Sequence, residues 1–225
     1  MSEASLSVSK LDFTIKKRVI LKEVAFKVSP GSVFAVVGHN GAGKTTLFHL
    51  ILGLKIQTGG EIFLLGKSNL DFKARAKLGY VPERPYIQLE QTLGAFLQFH
   101  ATLIGMSSAQ RKLEVERVAR EVQLEKHLDH LLSTFSKGML QKSLIAQASL
   151  GSPDLYLLDE PMSGLDPDAR EAVREQILRL KQQKKTIIFS SHALEDVEQL
   201  SDEVLILKDG KAEFLGTVAD WKRTR

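Results

Sequence analysis

The sequence predicts an α/β fold built on a mostly parallel sheet, and three observations carry that expectation. Short apolar runs recur at Val33–Val37, Leu155–Leu158, 186–189 and 204–207, as in strands buried on both faces. Between several of them the apolar period changes to that of an amphipathic helix. A glycine-rich break, Gly38 to Gly43, separates the first run from the first helix. Strands that alternate with helices argue for parallel pairing, because each return crossover needs a helix's length of chain.

Each element has its own signal. Val24, Phe26 and Val28 alternate with Ala25 and Lys27, as in a half-buried strand. Ser29-Pro30-Gly31-Ser32 is a turn leading into Val33–Val37. After Lys44, Leu47, Leu50, Ile51 and Leu54 recur at helical spacing, and Gly53 with Gly59-Gly60 brackets the exit. Residues 62–65 and Leu78–Val81 read as short strands. From about Pro85 to Leu132 the chain turns helical, with Leu93, Phe96, Leu97 and Ile104 on one stripe and Leu113, Val118, Val122 and Leu128 on another. That stretch reads as an insertion in the sheet. Strands return after Asp154, with helices over 168–181 and Leu194–Leu200.

Composition excludes several classes. The chain has 225 residues, 43% hydrophobic and 26% charged, which fits one globular domain. It has no cysteine, which removes disulfides, thiolate metal sites and thiol nucleophiles, and a reducing compartment fits. Lys and Arg total 31 against 27 Asp and Glu, a net charge of +4. The basic clusters Lys16-Lys17-Arg18, Lys184-Lys185 and Lys222-Arg223-Arg225 are short. They read as solvated faces, so no nucleic-acid partner is expected. The opening MSEASLSVSK has no apolar core of the secretory kind. Nowhere do about 18 apolar residues run together, so a membrane role must come through a partner.

Two motifs carry chemistry. Gly38-His39-Asn40-Gly41-Ala42-Gly43-Lys44-Thr45, followed by Thr46, fits the phosphate-binding loop, with a buried strand before it and a helix after. Glycines let the backbone approach phosphates so that its N–H groups form an anion nest, and the helix start adds its positive end. Lys44 supplies a mobile ammonium, and the Thr45 hydroxyl can ligate Mg²⁺. Asp159 and Glu160 end the second apolar strand. A carboxylate there needs a partner, and a Mg²⁺ held by Thr45 would supply it for Asp159. Glu160 could polarise the attacking water as general base.

With these motifs in place, nearly the whole chain resembles the nucleotide-binding subunit of an ABC transporter. Phe135-Ser136-Lys137-Gly138-Met139 stands where that family has its signature, Leu-Ser-Gly-Gly-Gln, and this version is similar to the branch that exports drugs, polysaccharides and lipids. Ser136 can N-cap the helix marked by Leu140, Leu144 and Ala148, which would present its positive end and the Gly138 N–H to an anion. Ser163-Gly164-Leu165-Asp166 resembles the D-loop, and His192 resembles the switch histidine that orients the water and Glu160. The resemblance implies one domain over 1–225, a phosphate-loop NTPase with an N-terminal antiparallel β subdomain. The nucleotide core would span 1–84 and 151–225, and residues 85–150 would form the inserted helical subdomain. It further implies ATP and Mg²⁺ as cofactors, a homodimer with each signature on the other copy's γ-phosphate, and a separate transmembrane permease. That partner would hold the protein at the cytoplasmic face of the membrane.

The sequence departs from the family in two places. Glu83 follows Leu78–Val81 where the family has Gln; it can still reach Mg²⁺ or water through an oxygen but adds negative charge. The position expected to stack on adenine falls on Ile15, and Phe13, two residues earlier, reads as core. The rival reading within the family is an ATPase acting on DNA or ribosomes. A small-molecule kinase or GTPase is a second rival, but it gives Ser136, Gly138 and His192 no task.

Overall fold

The computed structural model describes residues 4–224. The chain opens with the hairpin β1 (Leu6–Ile15) and β2 (Arg18–Val28), then β3 (Val33–Val37), α1 (Lys44–Ile51), β4 (Gly59–Leu64), β5 (Lys67–Ser68), α2 (Phe72–Arg75) and β6 (Leu78–Val81). A helical stretch follows: α3 (Leu93–Leu103), α4 (Ser108–Glu121), two 3-10 turns at Glu125–His127 and Leu132–Thr134, and α5 (Lys137–Ala148). The chain then alternates through β7 (Leu155–Leu158), α6 (Pro167–Gln182), β8 (Thr186–Ser191), α7 (Leu194–Leu200) and β9 (Glu203–Lys208). It closes with β10 (Lys211–Thr217) and α8 (Val218–Arg223).

The strands form two sheets. Four pair in the order β2-β1-β4-β5, all antiparallel. Six pair in the order β10-β9-β3-β8-β7-β6, parallel throughout except for the edge strand β10. This is the α/β architecture expected, with the antiparallel sheet at the N-terminal side. The period-two alternation of β3 splits the interior in two. Phe34 and Val36 face a core shared with the first sheet and with Leu47, Phe48, Leu50 and Ile51 of α1. Val33, Ala35 and Val37 face a second core built with α3 to α8. Because β3, β6, β7 and β8 run the same way, their C-terminal ends gather on one edge, where ligands of parallel sheets bind.

Some details differ from the sequence expectation. Leu54 lies beyond the end of α1 and is 66% exposed. Ile104 is 55% exposed just past α3, and Leu113 is 71% exposed. The buried face of α4 is instead Val115, Val118 and Ala119, with Val122 at its cap. Its start is fixed by Ser107 and Gln110, which form a reciprocal capping box. Strand β1 gives little alternating signal because its pairing with β2 is interrupted by register shifts, and Lys10 takes φ 45° at one of them.

Asn69 anchors α1 from outside. Its side chain is wholly buried, and its Nδ2 donates at 2.7 Å to the last-turn carbonyl of Leu50, which also accepts from Gly53 N at 3.0 Å. Its own carbonyl accepts from Arg75 Nη1 at 2.9 Å. Asn69→Ala removes one of the two donors to this carbonyl and empties a buried site, so stability is expected to fall by about 0.5–1.5 kcal/mol, read as a lower urea midpoint. An unchanged midpoint would show that the Gly53 bond alone holds the helix end.

Candidate functional site

The loop after β3 makes its turn through positive-φ glycines and delivers the chain into α1, whose N-cap is Gly43 at φ 110°. That conformation is open only to glycine without strain. The first-turn amides of α1 belong to Lys44, Thr45 and Thr46, which leaves them aimed out of the helix with no intrahelical acceptor. Lys44 is 6% exposed, and its Nζ lies 2.8 Å from the Gly38 carbonyl, 3.4 Å from that of His39 and 3.2 Å from Glu160 Oε1. Asn40, Lys44, Thr45, Thr46, Glu83 and Glu160 line one cavity of about 420 Å³. The loop, Glu83 and Glu160 thus meet at the same edge of the parallel sheet.

Asp159 ends β7 with 1% of its surface exposed. Its Oδ1 accepts from Ser190 Oγ at 2.6 Å, while Oδ2 is buried without a hydrogen-bond partner. Burial pushes the Asp159 carboxyl above the usual range, the bonded Ser190 hydroxyl and the nearby Thr45 hydroxyl pull it back, and the charges of Glu83 and Glu160 add to the rise. The same environment drives the Tyr80 phenol up to about 12, by burial first and then by Asp159 and Glu83. A buried carboxylate oxygen without a donor, facing a threonine hydroxyl, is a donor set of the hard oxygen kind that suits Mg²⁺. Thr45 and Asp159 therefore fit that ion. Glu83 stands in the same cavity, with Oε1 3.7 Å from Arg84 Nε.

Glu160 adopts φ 49°, a left-handed conformation uncommon for a residue with a side chain. Its backbone N–H donates to Ser190 Oγ at 2.8 Å. Its Oε1 pairs with Lys44, and its Oε2 lies 2.9 Å from His192 Nδ1. The three residues form a continuous chain from the loop to the end of β8. Ser190, which bridges the two acids, is a residue that sequence reasoning passed over. The available signal was a polar pair, Ser190-Ser191, closing an otherwise apolar run beside the β7 acids.

The remaining residues sit elsewhere. Ser136 caps α5 by accepting from Met139 N at 3.2 Å, as expected. Ser136 and Lys137 are exposed and Met139 is half-buried. None of residues 136–139 is among those lining the cavity at Lys44. Gly138 is buried, and a Cβ there would lie 2.6 Å from the Ala169 Cβ of α6. The missing side chain thus serves a close helix contact within the chain. Ser163 and Gly164 are exposed and Leu165 is half-buried. Asp166 caps α6 by accepting from Ala169 N at 2.9 Å, ahead of Pro167 at the first helical position. His39 bonds the Asn40 carbonyl and lies 3.5 Å from Asp209. The cavity reaches the first sheet at Arg18 and Ile20 rather than at Ile15 or Phe13. The hairpin turn pairs Ile15 with Arg18, which leaves Ile15 40% exposed, while Phe13 is core as expected.

A family model described as ABC transporter matches residues 21–163, more than half of the chain. An uncharacterized ABC transporter ATP-binding protein of Synechocystis sp. is 41% identical over 89% of this chain and 57% of its own length. The chain therefore spans little more than half of that relative. Nod factor export ATP-binding protein I of Paraburkholderia xenovorans is 32% identical, covering 94% of this chain and 70% of the relative. A solved ATP-binding subunit of an ABC transporter superposes with a TM-score of 0.85 at 35% identity, over 97% of this chain and 92% of its own.

Lys44 is the ammonium seated in the loop, held by two of the loop's own carbonyls. Lys44→Ala is expected to weaken ATP binding about ten- to a hundredfold, the equivalent of losing one charge-assisted contact of about 1.5–3 kcal/mol. Equilibrium titration with a fluorescent ATP analogue measures it, and unchanged affinity would contradict the loop's assignment.

Proposed function

Because this chain belongs to the family of ABC transporter ATP-binding domains, we propose that it binds and hydrolyses ATP to drive an ABC transporter through closure and opening of a homodimer. The observation that carries the reading is the linked set Lys44, Glu160 and His192 beside the loop. Lys44 meets the β- and γ-phosphate oxygens. Glu160 accepts a proton from the water that attacks the γ-phosphorus, and ADP and phosphate leave. His192, bonded to the other Glu160 oxygen, keeps that carboxylate aimed and itself faces the γ-phosphate. Thr45 and Asp159, with Glu83 nearby, would hold Mg²⁺, which would supply charge neutralisation on the phosphates. Arriving phosphate competes with Glu160 for Lys44, which frees the carboxylate for its role as base.

The dimer reading rests on the exposed N-terminus of α5 at Ser136 and Lys137, outside the cavity of its own Lys44. Ser136 to Met139 then bind the γ-phosphate held by the second copy, and Ser163 to Asp166 cross between the two sites. Residues 1–225 act as one ATPase domain, with 1–84 and 151–225 as the nucleotide core and 85–150 as the helical arm. An exporting task is supported by the Lys137 and Met139 variant of the signature and by the Nod factor export relative. Among the described residues no helix is long and apolar enough to cross a membrane. A separate permease as the transmembrane part is supported by relatives named as ATP-binding proteins of transporters. Phe99, Leu103 and Ile104, each more than half exposed around the end of α3, supply an apolar face for it. Docked there, the protein sits at the cytoplasmic side of the membrane.

Two experiments test this. Glu160→Gln keeps the shape but removes the base, so hydrolysis should fall at least about 10²-fold while ATP still binds and the ATP-closed dimer accumulates in light scattering. Turnover like that of the parent would pass the role to another group. Ser136→Arg should leave binding by the monomer intact but abolish closure and hydrolysis. Mixing it with Lys44→Ala yields dimers in which one composite site carries both defects and the other neither. Partial activity should therefore return. A mixture as inactive as each parent would count against sites shared between two copies.

A further inference from the structure

His127 and His130 form a cluster that the nucleotide site does not use. Their Nδ1 atoms lie 3.1 Å apart, with ring centroids 5.0 Å apart and planes at 77°. One Nδ1 therefore donates and the other accepts, so at least one lone pair is directed between the rings. His127 is half-buried and His130 exposed, so the gap opens to solvent.

The backbone beneath both rings is fixed. His127 N donates to the Leu124 carbonyl at 2.9 Å and His130 N to the His127 carbonyl at 3.0 Å, which closes a tight turn. The His130 carbonyl accepts from Leu93 N at 3.1 Å, and that of Leu128 from Gly94 N at 2.8 Å, so the turn is tied to the start of α3. The edge of the His127 ring packs on Phe135, with centroids 6.1 Å apart.

We propose that His127 and His130 chelate one borderline transition cation of the Zn²⁺ or Cu²⁺ class. Two nitrogens, each about 2.0–2.1 Å from a tetrahedral Zn²⁺, are about 3.3–3.4 Å apart, so small side-chain rotations convert the 3.1 Å contact into a bite of the right width. Imidazole suits Zn²⁺, Cu²⁺ and Ni²⁺ and not Mg²⁺, so the ion of the nucleotide site does not compete. Among the described residues no cluster of three or more His, Asp or Glu side chains is arranged to hold a metal, so water completes the coordination. The bound cation staples the turn that leads to Phe135 and the cap of α5.

The test uses the whole chain without nucleotide. Cu²⁺ titrated in the presence of excess Mg²⁺ should bind once per chain, with two nitrogen ligands in the electron paramagnetic resonance spectrum. His130→Ala, an exposed change that leaves the turn's backbone bonds in place, should weaken that site at least about tenfold and leave one nitrogen or none. Zn²⁺ should slow amide exchange over residues 128–135 in the parent and not in His130→Ala. His127→Ala, checked for folding by circular dichroism, should behave like His130→Ala. Equal Cu²⁺ binding by the parent and His130→Ala would place the metal elsewhere and overturn the proposal. So would the lack of any site in the parent tighter than about millimolar.

Discussion

Asp159 is a carboxylate almost wholly removed from water at the end of a strand whose four residues are all buried, and the surrounding geometry follows from satisfying it. Ser190, at the matching end of the adjacent β8, donates to its Oδ1 and at the same time accepts the N–H of Glu160. One hydroxyl thus ties the end of β7 to that of β8. Glu160 stands there at φ 49°, a conformation that costs about 1–3 kcal/mol for a residue with a side chain. The strained backbone aims the carboxylate of Glu160 between Lys44 and His192. The unusual conformation and the three-residue chain are therefore one feature seen at two levels.

The two cores determine how firmly that edge is held. Helix α1 is packed between the sheets, with Leu47, Phe48, Leu50 and Ile51 fully buried, so the loop that precedes it cannot drift relative to β3. Asn69 fixes the far end of the same helix through the Leu50 carbonyl. The second core covers the opposite face of the parallel sheet with six helices, of which α6 and α7 are joined by the buried Arg174–Asp196 pair at 2.7 Å. Helix α7 starts two residues after His192, so this pair helps to hold the histidine at its end of the chain.

The parallel sheet was legible because its strands are buried on both faces, and continuous apolar runs are hard to mistake. Leu78–Val81, Leu155–Leu158 and Leu194–Leu200 match the structure residue for residue. Strands β1 and β10 were not legible. The first is broken by irregular register, and the second is a partly exposed edge whose alternation carries few apolar residues. The phase of α4 was misjudged at Leu113, because burial there is set by the face turned to α3 and α5 rather than by the most apolar side chain. Around the site, the loop and the two acids could be read as consecutive residues. The role of Ser190 could not, since it arises only when β7 and β8 lie side by side.

The contact of Gly138 with Ala169 joins two helix starts that lie far apart in sequence. With no side chain at one position and only a methyl at the other, α5 and α6 meet so closely that a methyl at Gly138 would clash. Their caps, Ser136 and Asp166, therefore flank one direct helix contact. A push on the start of α5 bears on α6 without an intervening side chain, so the two caps share one mechanical support.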